Sequence, residues 1–499
     1  MPSAFNPLVR LPRIIAVLYA AAAAAVGTAF ADPAGDAATR PNIVFILADD
    51  LGWRDLGITG SPVCETPRLD ALARQGVRFS QAYAPAPICS ASRAAILTGR
   101  SPARLGLEFV VKESPGRQNL PGTKLETPPF TLALPPDETT IAERLAETGY
   151  ATAFFGKWHL NPHHGRYLGW HPELGPKSQG FAVAEEDFGG HPYAWQGKPK
   201  GELPSIDLPK GTFPADSLTD RAIDYLSSRD GDQPFFLMVS HFYVHTPVKT
   251  QAEWLTRRYA ERLGVEPSSP RARYAAFVRI LDHHVGRLLD AIDAHPQRDN
   301  MLVVFTSDNG GDPRFTRHGP LRGHKWTLYE GGLRVPLLVR WPSRLDGGRV
   351  ADQPVIGTDL FPTFVEAAGE TPREDDQIDG RSLLPLLSGE TPADPLPRTL
   401  VWHFPYYHPE SNLPSPPVPQ TAGVDDDRVP FLEPHSAVRI GREKTLLFHE
   451  TGRVERFTVD AEGAIDEIGG VFTGEAAEVA RSVVLNELSK RNARLPTLK

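Results

Sequence analysis

The chain has 499 residues, 40% of them hydrophobic, and a formal net charge of −8. It is long enough to bury a large hydrophobic core, and its acidic balance argues against nucleic acid as a partner, because nucleic-acid-binding proteins usually carry a basic surface. Only two cysteines are present, so the fold cannot depend on a framework of disulfides.

The first element in chain order predicts export. Arg10 and Arg13 precede an apolar stretch at residues 14–26, and an Ala-Phe-Ala sequence ends at Ala31. This pattern is typical of a secretory signal peptide. We therefore predict that the export machinery carries the chain across the membrane and that residues 1–31 are cleaved. The mature protein should then be periplasmic or secreted. The stretch is shorter than the roughly 20 residues of a spanning helix. An uncleaved anchor is the less favoured alternative, and no stable membrane insertion is expected.

Four apolar runs predict buried parallel strands, at residues 42–48, 150–156, 234–240 and 301–306. None of them alternates in the way of a strand with one exposed face. Helical patterns lie between them, and strands alternating with helices predict an α/β fold. We therefore expect a doubly wound, mostly parallel sheet flanked by helices, forming a catalytic domain over residues 32–398.

The pattern changes after residue 398. Residues 436–460 read as three short strands separated by turns at 441–442 and 451–452, and residues 475–492 read as a closing helix. We therefore predict a smaller C-terminal subdomain over residues 399–499, made of an antiparallel sheet and a terminal helix.

Acidic residues follow two of the predicted strands. Asp49 and Asp50 come after the first, and Asp308 and Asn309 come after the fourth. In doubly wound sheets, ligands bind beyond the carboxyl ends of the strands. Oxygen ligands alone suit Ca²⁺, and less well Mg²⁺, rather than zinc. Either pair by itself is better explained as a helix cap or a solvated turn, whereas two pairs at strand ends favour a shared metal.

Basic residues and histidines from other segments complete a possible site. Arg93, Lys157 and Lys325 each read alone as an exposed charge. Three carboxylates and a divalent cation sum to −1, and three bases bring the sum to +2, which suits an anion. His159 and His245 follow predicted strands and can move protons near neutral pH, although a lone histidine is more often structural.

Cys89 opens an apolar helical run, four residues before Arg93. On the cysteine count alone, the favoured explanations are one half of a Cys64–Cys89 disulfide or a buried free thiol. The surrounding sequence points elsewhere, because CSASRAAILTGR at residues 89–100 resembles the signature of the type I sulfatases. In that signature a Cys is followed by any residue, Pro or Ala, any residue, and Arg, before Leu-Thr-Gly-Arg.

Other blocks extend this resemblance from about residue 42 to residue 387. GYATAFFGKWHL is similar to the second signature of the family, and further similar blocks are ILADDLGW, TSDNGG, YEGGLRVP and DGRSLLPLL. The family belongs to the alkaline phosphatase superfamily. The sequences around SHFYVHTP and KSQGF are most similar to those of arylsulfatases and N-acetylgalactosamine-6-sulfatases.

The resemblance implies a mechanism that the residues alone do not. A formylglycine-generating maturase would oxidise Cys89 to Cα-formylglycine, and its hydrated aldehyde would attack the sulfur of a sulfated glycan or aryl sulfate. The resulting sulfated hemiacetal would release inorganic sulfate. One Ca²⁺ per chain would be held by residue 89 and four others: Asp49, Asp50, Asp308 and Asn309.

The resemblance also assigns roles to the remaining residues. Arg93 would hold the diol, Lys157 and Lys325 the sulfate oxygens, and His245 with Lys325 would protonate the leaving alcohol. His159 would take the proton from the second hydroxyl. A further polar contact to sulfate cannot be assigned from the sequence, and His191 is one guess. Two other functions stay open, namely a formylglycine-dependent phosphonate monoester or phosphodiester hydrolase, and a non-catalytic glycan-binding pseudo-sulfatase.

Overall fold

The structure is a computed structural model that describes residues 40–195, 207–316, 319, 321–390, 398–409, 431–459, 465–466 and 471–499. The predicted signal peptide at 1–31 lies outside these residues. Within them, no helix combines the length and the apolar character needed to cross a membrane.

The described segments form short and long strands and helices in alternation. The strands are β1 (Asn42–Ala48), β2 (Val77–Phe79), β3 (Ala82–Tyr83), β4 (Leu125–Glu126), β5 (Ala151–Gly156), β6 (Val183–Glu185), β7 (Phe235–Ser240), β8 (Met301–Ser307), β9 (Leu337–Arg340), β10 (Arg349–Ala351), β11 (Val355–Ile356), β12 (Thr399–Phe404), β13 (His408–Pro409), β14 (Phe431–Leu432), β15 (His435–Ile440), β16 (Glu443–Phe448), β17 (Val454–Val459), β18 (Ile465–Asp466), β19 (Val471–Phe472) and β20 (Thr497–Leu498). The α-helices are α1 (Pro67–Gln75), α2 (Cys89–Thr98), α3 (Pro102–Leu105), α4 (Ile141–Glu147), α5 (Ser217–Ser227), α6 (Glu253–Leu263), α7 (Pro270–Ala294), α8 (Glu330–Leu333), α9 (Leu360–Ala367), α10 (Leu384–Ser388) and α11 (Gly474–Ser489).

The central sheet confirms the predicted α/β fold. Its eight strands lie in the order β10-β2-β9-β8-β1-β7-β5-β6. Every neighbouring pair is parallel except the two pairs made by β9, which runs antiparallel to β2 and β8. The four predicted strands are β1, β5, β7 and β8.

Burial on both faces explains why the central strands do not alternate in polarity. All seven residues of β1 are buried. Ile43, Phe45 and Leu47 join the core under α2, α4 and α9, whereas Val44 and Ile46 join the core under α1, α5, α6 and α7. Each such side chain stabilises the fold by roughly 1.5–3 kcal/mol through removal of apolar surface from water.

The C-terminal sheet is antiparallel, in the order β12-β15-β16-β17-β18, with β19 also paired to β17. The three predicted strands are β15, β16 and β17, and the predicted closing helix is α11, which buries Ala480, Val484 and Leu488 against the sheet. Strand β12, which the sequence analysis did not predict, pairs with β15 along its full length.

The C-terminal sheet also forms hydrogen bonds with a loop of the catalytic α/β region. In the segment at residues 321–329, the Leu328 amide donates to His435 Nε2 at 3.0 Å, and the Tyr329 hydroxyl donates to Glu455 at 2.8 Å. Lys325 lies in the same segment. The C-terminal sheet therefore fixes the backbone that carries one of the predicted site residues.

Candidate active site

The predicted site residues meet where four neighbouring strands end. Strands β8, β1, β7 and β5 are adjacent and parallel, so their carboxyl ends lie side by side. The Asp50 amide donates to Asp308 Oδ1 at 3.1 Å, which joins the two acidic pairs. Lys157 follows β5 after Gly156, whose φ is 110° and whose backbone lies against Ser240 so closely that a Cβ would overlap Ser240 O. Only glycine fits there.

Cys89 is the first residue of α2 and is 1% exposed. Its thiol lies 3.5 Å from Asp49 Oδ1 and 3.8 Å from Asp50 Oδ1. Burial raises the pKa of this thiol, so Cys89 is not an activated thiolate. Both Cys64 and Cys89 are free thiols, and the disulfide alternative is therefore not formed in the structure.

Arg93 is buried one turn into α2 and binds three of the strand ends. Its Nε donates to Asp308 Oδ2 at 2.9 Å, and its Nη1 donates to the Lys157 carbonyl at 2.8 Å and to Ser240 Oγ at 2.6 Å. Its Nη2 forms an ion pair with Asp308 Oδ2 at 2.8 Å. Such a fork of charge-assisted bonds fixes geometry as well as charge. Arg93 thus holds the helix that carries Cys89 against the strand ends.

The two lysines are buried and each pairs with one acidic residue. Lys157 Nζ lies 2.6 Å from Asp49 Oδ2, and Lys325 Nζ lies 2.6 Å from the carboxylate of Asp50. Burial disfavours the charged form of Asp50, yet Lys325, His245 and Lys157 outweigh it and lower its pKa. Both lysines are therefore charged, and their ammonium groups point at the acidic cluster.

The arrangement of oxygen atoms fits a cation. Asn309 donates through Nδ2 to Asp50 Oδ1 at 2.8 Å and to Gly310 O at 2.9 Å, which leaves its buried Oδ1 without a partner. Burial and the nearby Asp49 raise the pKa of Asp308 to about 6, as expected where carboxylates crowd together. Ligand atoms within 4.8 Å of one another come from Asp49, Asp50, Cys89 and His245.

The two histidines take up different positions. His245 Nδ1 lies 2.7 Å from Thr246 O and 2.9 Å from the Tyr193 hydroxyl, so the proton sits on Nδ1. Its Nε2 faces Asp50 Oδ2 at 3.7 Å. His159 has a φ of 57° and a buried Nδ1 without a partner. Burial is the main reason that the pKa of His159 lies well below its usual range, and the positive charge of Lys157 lowers this pKa further. Both rings therefore present a nitrogen that accepts a proton.

The structure also shows contacts that the sequence analysis missed. Ser240 donates to the Lys157 carbonyl at 2.8 Å while it accepts from Arg93, and Tyr193 binds His245. Ser240 is the last residue of β7, and its position at a strand end could have identified it as a candidate site residue. His191, the guessed sulfate contact, has both ring nitrogens engaged, with the His245 carbonyl and the Tyr193 amide.

Two family profiles match the sequence. Residues 41–370 match the Sulfatase family, and residues 323–430 match the family described as N-sulphoglucosamine sulphohydrolase, C-terminal. The first match covers more than half of the chain and includes both acidic pairs, Cys89 and both lysines.

Individual relatives agree with the profiles. Steryl-sulfatase of Mus musculus is 34% identical over 456 residues, covering 76% of this chain and 70% of the relative. N-acetylgalactosamine-6-sulfatase of Canis lupus familiaris is 34% identical over 406 residues, with the same two coverages. The crystal structure of Ps i-CgsB in complex with k-i-k-neocarrahexaose is 26% identical, has a TM-score of 0.68, and covers 91% of this chain and 94% of its own. The chain belongs to the sulfatase family.

Proposed function

We propose that this protein hydrolyses sulfate monoesters of saccharides and releases inorganic sulfate, with residue 89 acting as formylglycine after oxidation by a maturase. The observation that carries the proposal is the position of Cys89. Cys89 starts a helix, its thiol contacts Asp49 and Asp50, and the charges of Lys157 and Lys325 are close enough to act on it. The hydrated aldehyde supplies two hydroxyl groups on one carbon, one to attack sulfur and one to assist release.

The proposed cation is Ca²⁺, held by residue 89 and the oxygen ligands Asp49, Asp50, Asp308 and Asn309. When bound, it supplies positive charge that favours both an ionised hydroxyl and a sulfate oxygen. The unpartnered Asn309 Oδ1 and the crowded carboxylates support this assignment. Once a cation neutralises Asp49 and Asp50, the ammonium groups of Lys157 and Lys325 are available to bind the oxygens of a sulfate.

Proton transfer falls to three side chains. Lys325 is charged and, like His245, faces the Asp50 carboxylate, so we assign to this pair the proton that goes to the leaving alcohol oxygen, with Lys325 as its source. His159, neutral and with an unpartnered buried Nδ1, accepts a proton from the side chain of residue 89. Arg93 fixes the helix that carries residue 89 through its bonds to Asp308 and Ser240, and we assign to it the role of holding the diol.

The substrate class follows from the relatives together with the site. One relative is named for sulfate removal from N-acetylgalactosamine, and the solved structure described above holds an oligosaccharide. We expect p-nitrophenyl sulfate to be hydrolysed at least about tenfold faster, in kcat/KM, than bis(p-nitrophenyl) phosphate. Parallel initial-rate measurements on one preparation check this, with the Lys157→Ala variant as a control for contaminating activity. Faster hydrolysis of the phosphodiester would favour the alternative hydrolase, and no hydrolysis of either would favour the glycan-binding protein.

We also propose export, with a mature chain that begins at Asp32, a catalytic domain at 32–398 and a C-terminal subdomain at 399–499. The basic and apolar pattern before Ala31 supports it. N-terminal sequencing of protein from the culture medium or periplasm should begin at Asp32. Recovery of active protein from the cytosol with Met1 retained would contradict this prediction.

A further inference from the structure

A continuous row of aromatic rings connects the two histidines of the site. From His159 the ring-centroid distances are 6.2 Å to His163, then 4.5 Å to Tyr167, 5.3 Å to Tyr193 and 6.0 Å to His245. We call these five residues the aromatic arc. Because both of its ends are at the reacting groups, the arc borders the space that a bound substrate must occupy.

Tyr167, in the middle of the arc, is open to solvent, whereas the adjacent Tyr193 is buried. Tyr167 is 44% exposed, and Tyr193 is 7% exposed. A tyrosine ring that is rigidly packed along one edge and free on another is suited to stack on a sugar ring. The arc also contains an unused polar atom, since His163 Nε2 is buried and has no hydrogen-bond partner.

Lys112 lies beside the arc as a half-buried cation without a carboxylate. Its ammonium group lies 5.0 Å from the Phe109 ring centroid and 5.6 Å from that of Phe130. Within the described part of the chain it makes no ion pair, and burial alone lowers the pKa of its amine. Burying a charge costs free energy unless an opposite charge offsets it. An anion from outside the protein would provide that charge.

Two contacts place Lys112 close to the reacting groups. The amide of Val111, the preceding residue, donates to Ser90 Oγ at 3.3 Å, next to Cys89. The following residue, Glu113, lies 3.3 Å from His163 Nδ1 through its carboxylate. Lys112 is thus held between the start of α2 and the aromatic arc.

We propose that Lys112 and the aromatic arc form a subsite for a saccharide that carries a second anionic group besides the sulfate ester that is cleaved. The sugar ring stacks on Tyr167, and a carboxylate or second sulfate pairs with the Lys112 ammonium. This inference rests on the proposed function and narrows its substrate class to acidic saccharides.

The test uses competitive inhibition of p-nitrophenyl sulfate hydrolysis. The probes are 6-sulfated N-acetylgalactosamine linked to glucuronate and the same disaccharide with the carboxylate reduced to an alcohol. For the unmodified protein we expect the acidic disaccharide to have a Ki about tenfold lower, which corresponds to about 1.4 kcal/mol. In Lys112→Met the two Ki values should be equal within a factor of two, with p-nitrophenyl sulfate kcat unchanged. Lys490→Met, at an exposed lysine directly after α11, is the matched control and should keep the preference.

A second variant separates ring stacking from charge. Tyr167→Ala should raise both Ki values about fivefold and leave their ratio intact, whereas Tyr167→Phe should leave both unchanged. Equal Ki values for the two probes in the unmodified protein, or a preference that survives in Lys112→Met, would overturn the inference. Absence of p-nitrophenyl sulfate hydrolysis would instead overturn the proposed function, so the two failures are distinguishable.

Discussion

Replacement of Cys89 by alanine should lower sulfate ester hydrolysis by about 10⁴-fold or more, because loss of a nucleophile leaves only binding and electrostatic contributions. The fold should persist. The Cys89 thiol makes only long contacts, to Asp49 and Asp50, and alanine keeps the start of α2. Initial rates on p-nitrophenyl sulfate, with circular dichroism of the same samples, measure both effects.

Cys64→Ser provides the matched control for that substitution. Cys64 is also buried, but it is a free thiol outside the cluster, so its replacement should keep most of the activity. If the two cysteines formed a structural disulfide, either substitution would instead cost about 2–5 kcal/mol of stability. Conversion of Cys89 to an aldehyde lowers the mass of its peptide and allows capture by a hydrazide. Fully active protein with an unmodified Cys89 thiol would contradict the formylglycine mechanism.

Asp49→Ala should remove bound Ca²⁺ and activity together. Bound metal is expected to fall from about one ion per chain to near zero, measured by atomic emission after dialysis against metal-free buffer. The variant also leaves Lys157 buried without its partner, which should cost about 3–5 kcal/mol of stability. Asp49→Asn keeps the shape of the side chain and separates loss of charge from loss of packing.

The surface substitution Asp220→Ala is the control for metal content, since Asp220 pairs with Arg287 at the protein surface, away from the acidic cluster. It should retain both metal and activity. Undiminished bound Ca²⁺ in both Asp49 variants would show that the cation binds elsewhere in the protein.

The sequence predicted the parts of the fold whose pattern is strong. Strand β1 could be predicted because all its residues are apolar, and helix α7 because its apolar residues repeat over 25 positions. Strands β2 and β10, of three residues each, are too short to show a pattern, and β9 at four residues reverses direction between two parallel neighbours. Their positions depend on tertiary pairing rather than on local sequence.

The site residues also differ in how well the sequence predicted their positions. Asp49, Asp308, Lys157 and His245 follow strands, so their shared position at one edge of the sheet could be expected from the topology. Lys325 does not follow a strand; the charge count made it a candidate, and the resemblance to sulfatases gave it a role. Contacts such as Tyr193 with His245 could not be predicted, because they join residues that are distant in sequence through side-chain packing alone.

The contacts between the C-terminal sheet and the segment at residues 321–329 restrict how proteins of this family can change during evolution. Besides the bonds to His435 and Glu455, Glu330 at the start of α8 pairs with Lys444 at 2.9 Å, and both are fully buried. An inherited or engineered exchange of this sheet between relatives would remove the Lys444 ammonium from buried Glu330, which would keep only the Tyr83 hydroxyl and the more distant Arg334 among the described partners, and it would release the backbone beneath Lys325. Substitutions in the C-terminal sheet and in the segment that contacts it therefore have to compensate one another. New specificities are easier to acquire by changing rim residues such as Tyr167 than by shuffling domains.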